Sequence, residues 1–351
     1  MKLKDCIFRD KKRLAGLLFF VLIFGLTVYY IVGQIKPHDI ARAYLEAYKP
    51  FLFLSISMVF VFLFMQGLCY KVCFSAMGIK TTLTANFRYS CADFFGAAIT
   101  PSATGGQPLC AYFMAKDGIP VYKSGPILLL QTIVFKTILI ILSLAALFIR
   151  PDFAMKSGVL GKWLFILGVV INIVVVAVCF MAMFSTSALF SLGNGIISLL
   201  ERLHISRRAD ELREKYRHWL EEYARSSNFI SKNVKAVLLT VFFTVIQRLA
   251  LFAIPYLIYR SMGVSIDAKV VDFFALQIIL SMSVDSMPSP GAMGISEMLF
   301  RRFFNHIYSA EVISSAMVLT RGISHYFCMA FTAVVSLIGY IVIHKHKKKE
   351  I

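Results

Sequence analysis

Ionisable residues inside apolar stretches are the part of this sequence best able to do chemistry. Six of them interrupt long hydrophobic segments: Lys136, Arg248, Arg321, Asp93, Asp285 and Glu297. A charge is costly to bury in hydrocarbon, so such residues usually face a bundle interior or a water-filled cavity and mark a substrate or ion pathway. We expect these six residues to contact a charged ligand. The alternative is that they form structural ion pairs between helices.

Two further basic residues accompany this set. His325 follows Arg321 by four positions, so the two share one face of a helix. Arg88 lies just before the first of two segments that contain both proline and glycine. A single histidine is more often a hydrogen-bonded helix residue than a ligand-binding group or a proton relay, and both interpretations remain open for His325.

The first of these segments, ITPSATGGQP, spans residues 99–108. Pro101 is expected to end one half-helix, and Gly105 and Gly106 would let another backbone or a ligand approach closely. A second half-helix beginning here would present free N–H groups that suit an anion such as a phosphate. The side chains that could add hydrogen bonds to such a ligand are Ser102, Thr104 and Gln107.

The second segment, MPSPGAMGISE, spans residues 287–297. We expect Ser289 to cap a half-helix that has Pro290 at its first position. Gly291 and Gly294 give this segment the same freedom of close approach, and Glu297 would lie about two turns further along. The alternative for both segments is a tight packing turn between the two legs of a hairpin.

Enzymatic chemistry finds little support in the motifs. The chain contains no GxSxG, HExxH, Walker lysine loop or strand-associated GxGxxG. Its seven cysteines include no CxxC pair. We therefore expect no catalytic residues, no metal and no cofactor.

Composition indicates what must position these residues. Hydrophobic residues make up 58% of the 351 residues, and the mean hydropathy is +0.74. Apolar runs of this length predict an all-α polytopic membrane protein. Full spans are predicted at 14–33, 51–70, 124–149, 163–184, 234–259 and 313–343. Broken segments are predicted at about 89–115 and 268–304, each a re-entrant hairpin or, as the alternative, two legs that both cross.

The net charge of +18 lies mainly beside these spans. Anionic lipid and the excess of Lys and Arg in cytoplasmic loops explain such a distribution, so we expect no direct binding of nucleic acid. The same rule predicts that both termini are cytoplasmic. The loop 201–235 is predicted to be cytoplasmic and to contain an amphipathic helix at the headgroup level, either as a partner site or as an interfacial linker.

An internal repeat links the two broken segments. Met77-Gly and Met262-Gly each end a span and precede a DFF triplet and then a Pro-Ser and glycine cluster. Charge counting gives the two copies opposite orientations, which predicts one integrated domain over 1–351 with inverted halves at about 51–149 and 234–343. Such repeats are typical of secondary transporters with a site near the midplane. Chance similarity between apolar segments is the alternative.

TPSATGGQP and PSPGAMGISE together carry a resemblance to a known family. They resemble the two signature segments of the bacterial lysylphosphatidylglycerol synthase/flippase membrane domain, the family of the multiple peptide resistance factor. The similarity extends from about residue 10 to 343. By this resemblance, the glutamate of the family's second segment corresponds to Glu297. The glycine pairs of the two segments correspond to Gly105/Gly106 and Gly291/Gly294.

This resemblance implies lipid translocation in a bacterial plasma membrane. The substrate would be an anionic or aminoacylated phospholipid, and the chain could form a homo-oligomer. The full-length resistance factor continues into an aminoacyltransferase domain, whereas this chain ends at HKHKKKEI. We therefore do not expect lysyl transfer by this chain alone. The alternatives are a membrane component of lysylphosphatidylglycerol synthesis that acts with a separate soluble domain, and a transporter of a small polar solute.

Overall fold

The computed structural model describes residues 45, 47–152, 158–202, 209–263, 268–285, 287–310 and 312–349, and this part of the chain is helical without any strand. In chain order the helices are α1 Lys49–Ala76, α2 Leu83–Ile99, α3 Gly106–Lys116, α4 Val121–Ile149, α5 Gly158–Phe184, α6 Thr186–Arg202, α7 Ala209–Lys232, α8 Val234–Ser261, α9 Val270–Val284, α10 Ile295–Phe304, α11 Ile313–Arg321 and α12 Cys328–Lys349. A π-helical turn, Gly322–Phe327, joins α11 to α12.

Five helical segments are long and apolar enough to cross a membrane. They are α1, α4, α5, α8 and the continuous stretch Ile313–Val342. Five of the six predicted full spans are therefore confirmed as helices of spanning length. The predicted first span, 14–33, lies outside the described residues.

Local sequence explains where several of these helices begin. Thr82 precedes α2 and its hydroxyl accepts a hydrogen bond from the Ala85 N–H at 3.1 Å. Asn233 caps α8 in the same way, accepting from the Ala236 N–H at 3.0 Å. Each side chain satisfies one of the N–H groups that a helix start leaves without a partner.

Small and polar side chains bring α1 and α8 together along their lengths. The Cys69 thiol lies 3.6 Å from the Thr244 hydroxyl, and the Cys73 thiol lies 3.5 Å from the Thr240 hydroxyl. Lipid tails are as apolar as leucine, so close packing and interhelical hydrogen bonds hold membrane helices together. The α1–α8 pair forms one wall of the bundle, against which the broken segments pack.

Each broken segment forms two helices joined by a short turn. The second helices, α3 and α10, have 11 and 10 residues. At 1.5 Å per residue they extend about 15–17 Å, roughly half the hydrocarbon thickness of a bilayer. The two turns contact each other, and the Ser102 hydroxyl donates to the Met287 carbonyl at 3.4 Å.

The two turns also share one backbone form. After Pro101, Ser102 and Ala103 have φ of 52° and 56°; after Pro290, Gly291 and Ala292 have φ of 57° and 53°. Two consecutive left-handed residues after a proline are uncommon, and three of these four residues are not glycine. This shared form supports the predicted internal repeat, whose opposite membrane orientation stays a prediction.

The predicted amphipathic helix in loop 201–235 is present as α7. Its apolar face packs on the protein: the Tyr223 hydroxyl donates to the Ala182 carbonyl at 2.9 Å, and the Ser227 hydroxyl donates to the Met183 carbonyl at 2.5 Å. Burial raises the pKa of Tyr223 to about 12. The helix α7 therefore packs against the C-terminal end of α5.

Candidate functional site

A polar cavity of about 230 Å³ lies where the two turns meet. Residues of both turns, of α8 and α9 and of the π-helical turn line it. Seven of the residues expected to form the site are among them: Ser102, Arg248, Asp285, Ser289, Gly291, Arg321 and His325. Residues separated by more than two hundred positions in the chain thus contribute to one space.

Arg248 is the most unusual residue of this cavity. It is 5% exposed on α8, and its guanidinium lies 3.3 Å from the centre of the Phe135 ring. Its Nε and Nη2 atoms have no hydrogen-bond partner among the described residues. A buried guanidinium with free donors is costly unless an anion or water satisfies it. The two free donors of this side chain therefore leave room for an anion or a water molecule.

Two other polar groups at the cavity also lack partners. Gln277 Oε1 and His325 Nε2 are buried and make no hydrogen bond to any described residue. Polar residues that were not singled out in the sequence, Gln277, Ser281 and Ser324, line the same space. The glutamine within the otherwise apolar stretch ALQIIL was the signal that could have identified Gln277.

Asp285 reaches the cavity as half of an ion pair. Asp285 is the residue directly after the end of α9, and Lys136 on α4 donates to its carboxylate. Both side chains are largely buried. The pair joins two helices and neutralises both charges. The predicted alternative of a structural ion pair therefore describes Lys136, while Asp285 both pairs and faces the cavity.

Arg321 and Glu297 form a second, partly buried ion pair. Arg321 Nε donates to Glu297 Oε1 at 3.1 Å, and Arg321 Nη2 donates to the Gly291 carbonyl at 2.9 Å. Tyr326 adds a hydrogen bond to the same carboxylate oxygen at 3.3 Å. These contacts fasten the second turn to the π-helical turn, a type of helix irregularity that often occurs at functional sites.

The expected cap of the second half-helix was wrong. Gly294, not Ser289, is the N-cap of α10, and the Glu297 carboxylate accepts from the Gly294 N–H at 2.6 Å. Glu297 therefore lies in the first turn of α10, not two turns along. The reason is that the chain turns left-handed at Gly291 and Ala292, which delays the right-handed helix. The N-terminus of α10 already holds a carboxylate from its own chain.

The glycine pair of the first turn serves close packing. A Cβ on Gly106 would lie 2.6 Å from Asp93 Oδ1, and one on Gly105 would lie 2.9 Å from the Gly96 carbonyl oxygen. Thr100 closes this turn by accepting from the Gly105 N–H at 2.8 Å. The two glycines thus let α3 start directly against α2, as the packing-turn alternative describes, and they do not line the cavity.

The remaining predicted residues also lie away from the cavity. Gln107 donates to the Leu128 carbonyl at 3.0 Å, and the Thr104 hydroxyl donates to the Pro101 carbonyl at 3.0 Å. Arg88 forms an ion pair with Asp117 at the opposite end of the α2–α3 hairpin. Asp93 accepts hydrogen bonds from Gln66 and Tyr70.

The cavity combines polar side chains from both turns with a buried arginine. Within the described residues, no group of three or more His, Cys, Asp or Glu side chains could hold a metal ion. A chain built in this way is a polytopic α-helical membrane protein in which two helix breaks enclose a polar cavity with an unpaired arginine.

Comparison with known proteins identifies the family of this chain. Residues 13–331 match the family described as the lysylphosphatidylglycerol synthase TM region, and the chain belongs to that family. A curated relative, the UPF0104 membrane protein of Archaeoglobus fulgidus, is 21% identical over 276 residues, which cover 75% of this chain and 79% of the relative. No solved structure matches the chain significantly.

Proposed function

We propose that this protein translocates a phospholipid, anionic or aminoacylated, between the leaflets of a bacterial plasma membrane. The observation that carries the proposal is Arg248, a buried guanidinium that lines the cavity with two unsatisfied nitrogens. A lipid phosphate supplies the charge and the acceptor oxygens that this side chain lacks, and charge-assisted hydrogen bonds of this kind are strong. Membership of a family named for a lipid supports the same class of ligand.

The dimensions of the cavity indicate how a lipid would fit. A space of about 230 Å³ accommodates a headgroup, so the acyl chains would remain in the surrounding bilayer. The two hairpins would enter the membrane as re-entrant loops from opposite sides and hold the headgroup between their turns. Asp285 and Glu297 would receive a cationic headgroup substituent by exchanging their present partners, Lys136 and Arg321.

The anion would bind to side chains, not to the half-helix N-termini. Glu297 occupies the N-terminus of α10, and Asp93 lies against Gly106 at the start of α3. Both termini are thereby neutralised within the chain. We propose that both chain termini are cytoplasmic and that a lipid gradient or an ion gradient drives net transport.

The test is headgroup accessibility in reconstituted vesicles. Vesicles of phosphatidylglycerol and phosphatidylcholine carry a trace of fluorescent phosphatidylglycerol, whose outer-leaflet fraction is bleached by an impermeant reductant. Native protein should expose the inner-leaflet label, and Arg248→Gln should slow this exposure at least about tenfold, since one lost charged hydrogen bond is worth 1.5–3 kcal/mol. The Asp285→Ala/Glu297→Ala double variant should be impaired with an aminoacylated lipid.

Arg260→Gln is the matched control. Arg260 belongs to the same helix, but it is exposed and packs on Phe51 and Tyr256 away from the cavity. The rate at which the Arg260→Gln variant exposes the inner-leaflet label should stay within twofold of the native rate. Equal rates for Arg248→Gln and the native protein, with both variants folded by size-exclusion chromatography, would remove Arg248 from the site.

The family description favours one second candidate, a membrane component of lysylphosphatidylglycerol synthesis that acts with a separate soluble domain. In that case lysylphosphatidylglycerol would form in vesicles only when this chain, the soluble domain and charged tRNA are all present. Product formation by the soluble domain alone, at an unchanged rate, would exclude this role.

A further inference from the structure

Asp93 differs from the other acidic residues of the membrane region in the partners that hold it. The Gln66 amide and the Tyr70 hydroxyl, the latter at 3.2 Å, donate to its carboxylate oxygen Oδ2. Both donors are neutral. No lysine, arginine or histidine among the described residues forms an ion pair with Asp93.

The neighbouring carboxylates show the contrast. Asp285 pairs with Lys136, Glu297 with Arg321, Asp117 with Arg88, and Asp272 with Arg150. An ion pair favours the charged form of a carboxylate. Without a cation, burial in an apolar segment favours the protonated form, whereas donated hydrogen bonds favour the charged form, so the two effects oppose each other at Asp93. Asp93 is thus the described carboxyl in this region best suited to exchange a proton.

Its position connects a change of charge to the first hairpin. Asp93 Oδ1 faces Gly106, where a Cβ would lie only 2.6 Å away, so the carboxylate rests on the start of α3. The positive end of a helix favours a negative charge at this place. Protonation of Asp93 would remove that attraction and loosen the contact between α2 and α3.

A second connection leads toward the cavity. Gln66 bridges Asp93 to Gln247, whose amide donates to Gln66 Oε1 at 3.0 Å. Gln247 is the residue before Arg248 on α8. The Asp93 carboxylate is therefore linked by two glutamine side chains to the segment that carries the unpaired guanidinium.

We propose that Asp93 is a reversible proton-binding site and that its protonation is coupled to occupancy of the cavity. The titratable groups that face it are Tyr70 on α1 and Cys110 on α3, and α8 contributes the neutral amide of Gln247 through Gln66. An anion on Arg248 favours uptake of the proton, because negative charge is then added nearby. The coupling rests on the proposed function, whereas the proton site itself does not.

Infrared spectroscopy tests the proton site without any transport assay. Difference spectra of the purified protein in nanodiscs, recorded between alkaline and acid buffer, should contain a carbonyl band of a protonated carboxylic acid that shifts in heavy water. Asp93→Asn should lose this band. Asp117→Asn, at the end of α3 and paired with Arg88, should retain it. A spectrum of Asp93→Asn identical to that of the native protein would overturn the site.

Vesicles with a pH gradient test the coupling. If one proton moves with each lipid, a gradient of one pH unit should shift the steady-state ratio of labelled lipid between leaflets by up to about tenfold. Asp93→Asn should still equilibrate the lipid but ignore the gradient. A native distribution that does not respond to the gradient would overturn the coupling. A native protein that shows the infrared band but moves no lipid would instead contradict the proposed function alone.

Discussion

At the scale of single residues, the buried charged side chains differ in whether they have a partner of opposite charge. Lys136 and Asp285 satisfy each other, and so do Arg321 and Glu297. Arg248 alone among these basic residues of the described spans has no carboxylate partner and two unsatisfied nitrogens. All five residues were candidates from the sequence, but Lys136 and Asp285 lie 149 positions apart and Arg321 and Glu297 lie 24 apart, so neither pairing could be predicted from helical spacing.

The Lys136–Asp285 pair should behave as a structural pair. Lys136→Met leaves a buried carboxylate unpaired and should cost about 3–5 kcal/mol of stability. Lys136→Met/Asp285→Leu removes both charges and should recover most of that loss. The measurement is the unfolding midpoint in a fixed detergent, followed by size-exclusion chromatography after heating.

An exposed pair provides the control for this cycle. Arg225 and Glu222 pair on the surface of α7, where Arg225→Gln should change stability by less than about 1 kcal/mol. If the Lys136→Met/Asp285→Leu variant unfolds no later than Lys136→Met alone, the two charges do not act as a pair.

At the scale of helices, hydropathy predicted the spanning helices correctly, and the error in the predicted helix cap arose at the second turn. The five spans were predictable because length and apolar content decide whether a segment can cross a bilayer. Pro101 and the glycines marked the breaks. The cap at Gly294 was missed because two left-handed residues, one of them Ala292, precede it, and sequence gives little warning of an alanine with positive φ.

The left-handed turn predicts opposite effects for two adjacent substitutions. Gly291→Ala places a Cβ 2.3 Å from His325 Nε2 at a φ of 57° and should lower stability by about 2–4 kcal/mol from strain and overpacking. Ala292→Gly relieves a φ of 53° and should be neutral or stabilising by about 1 kcal/mol.

The same unfolding assay in detergent checks both variants of the turn. Gly195→Ala, in an open part of α6 with nothing near its Cβ, is the control for introducing a methyl group. A Gly291→Ala protein as stable as Ala292→Gly would contradict the left-handed geometry of the second turn.

At the scale of the whole molecule, the cavity exists because the two turns contact each other. The paired breaks were predicted from the sequence. Their contact, with Ser102 against the Met287 carbonyl, and the residues that line the space between them, such as Gln277, come from the structure. The family match spans most of the chain, but the position of each lining residue comes from the packing of distant helices.

Cross-linking should report this contact in a membrane. In a variant without the seven native cysteines, Ser102→Cys/Met287→Cys should form an intramolecular cross-link with a short bifunctional thiol reagent. Ser102→Cys/Gly195→Cys should not, because Gly195 lies on α6, away from the turns. Equal cross-linking of both variants would mean that the turns do not meet.

A structure of the protein in nanodiscs that contain phosphatidylglycerol would show whether Arg248 binds a lipid headgroup. We expect headgroup density in the cavity between the turns, with phosphate oxygens within hydrogen-bonding distance of the Arg248 guanidinium, and no such density for Arg248→Gln. A cavity that holds only water, with ordered lipid phosphates elsewhere on the protein, would contradict this expectation.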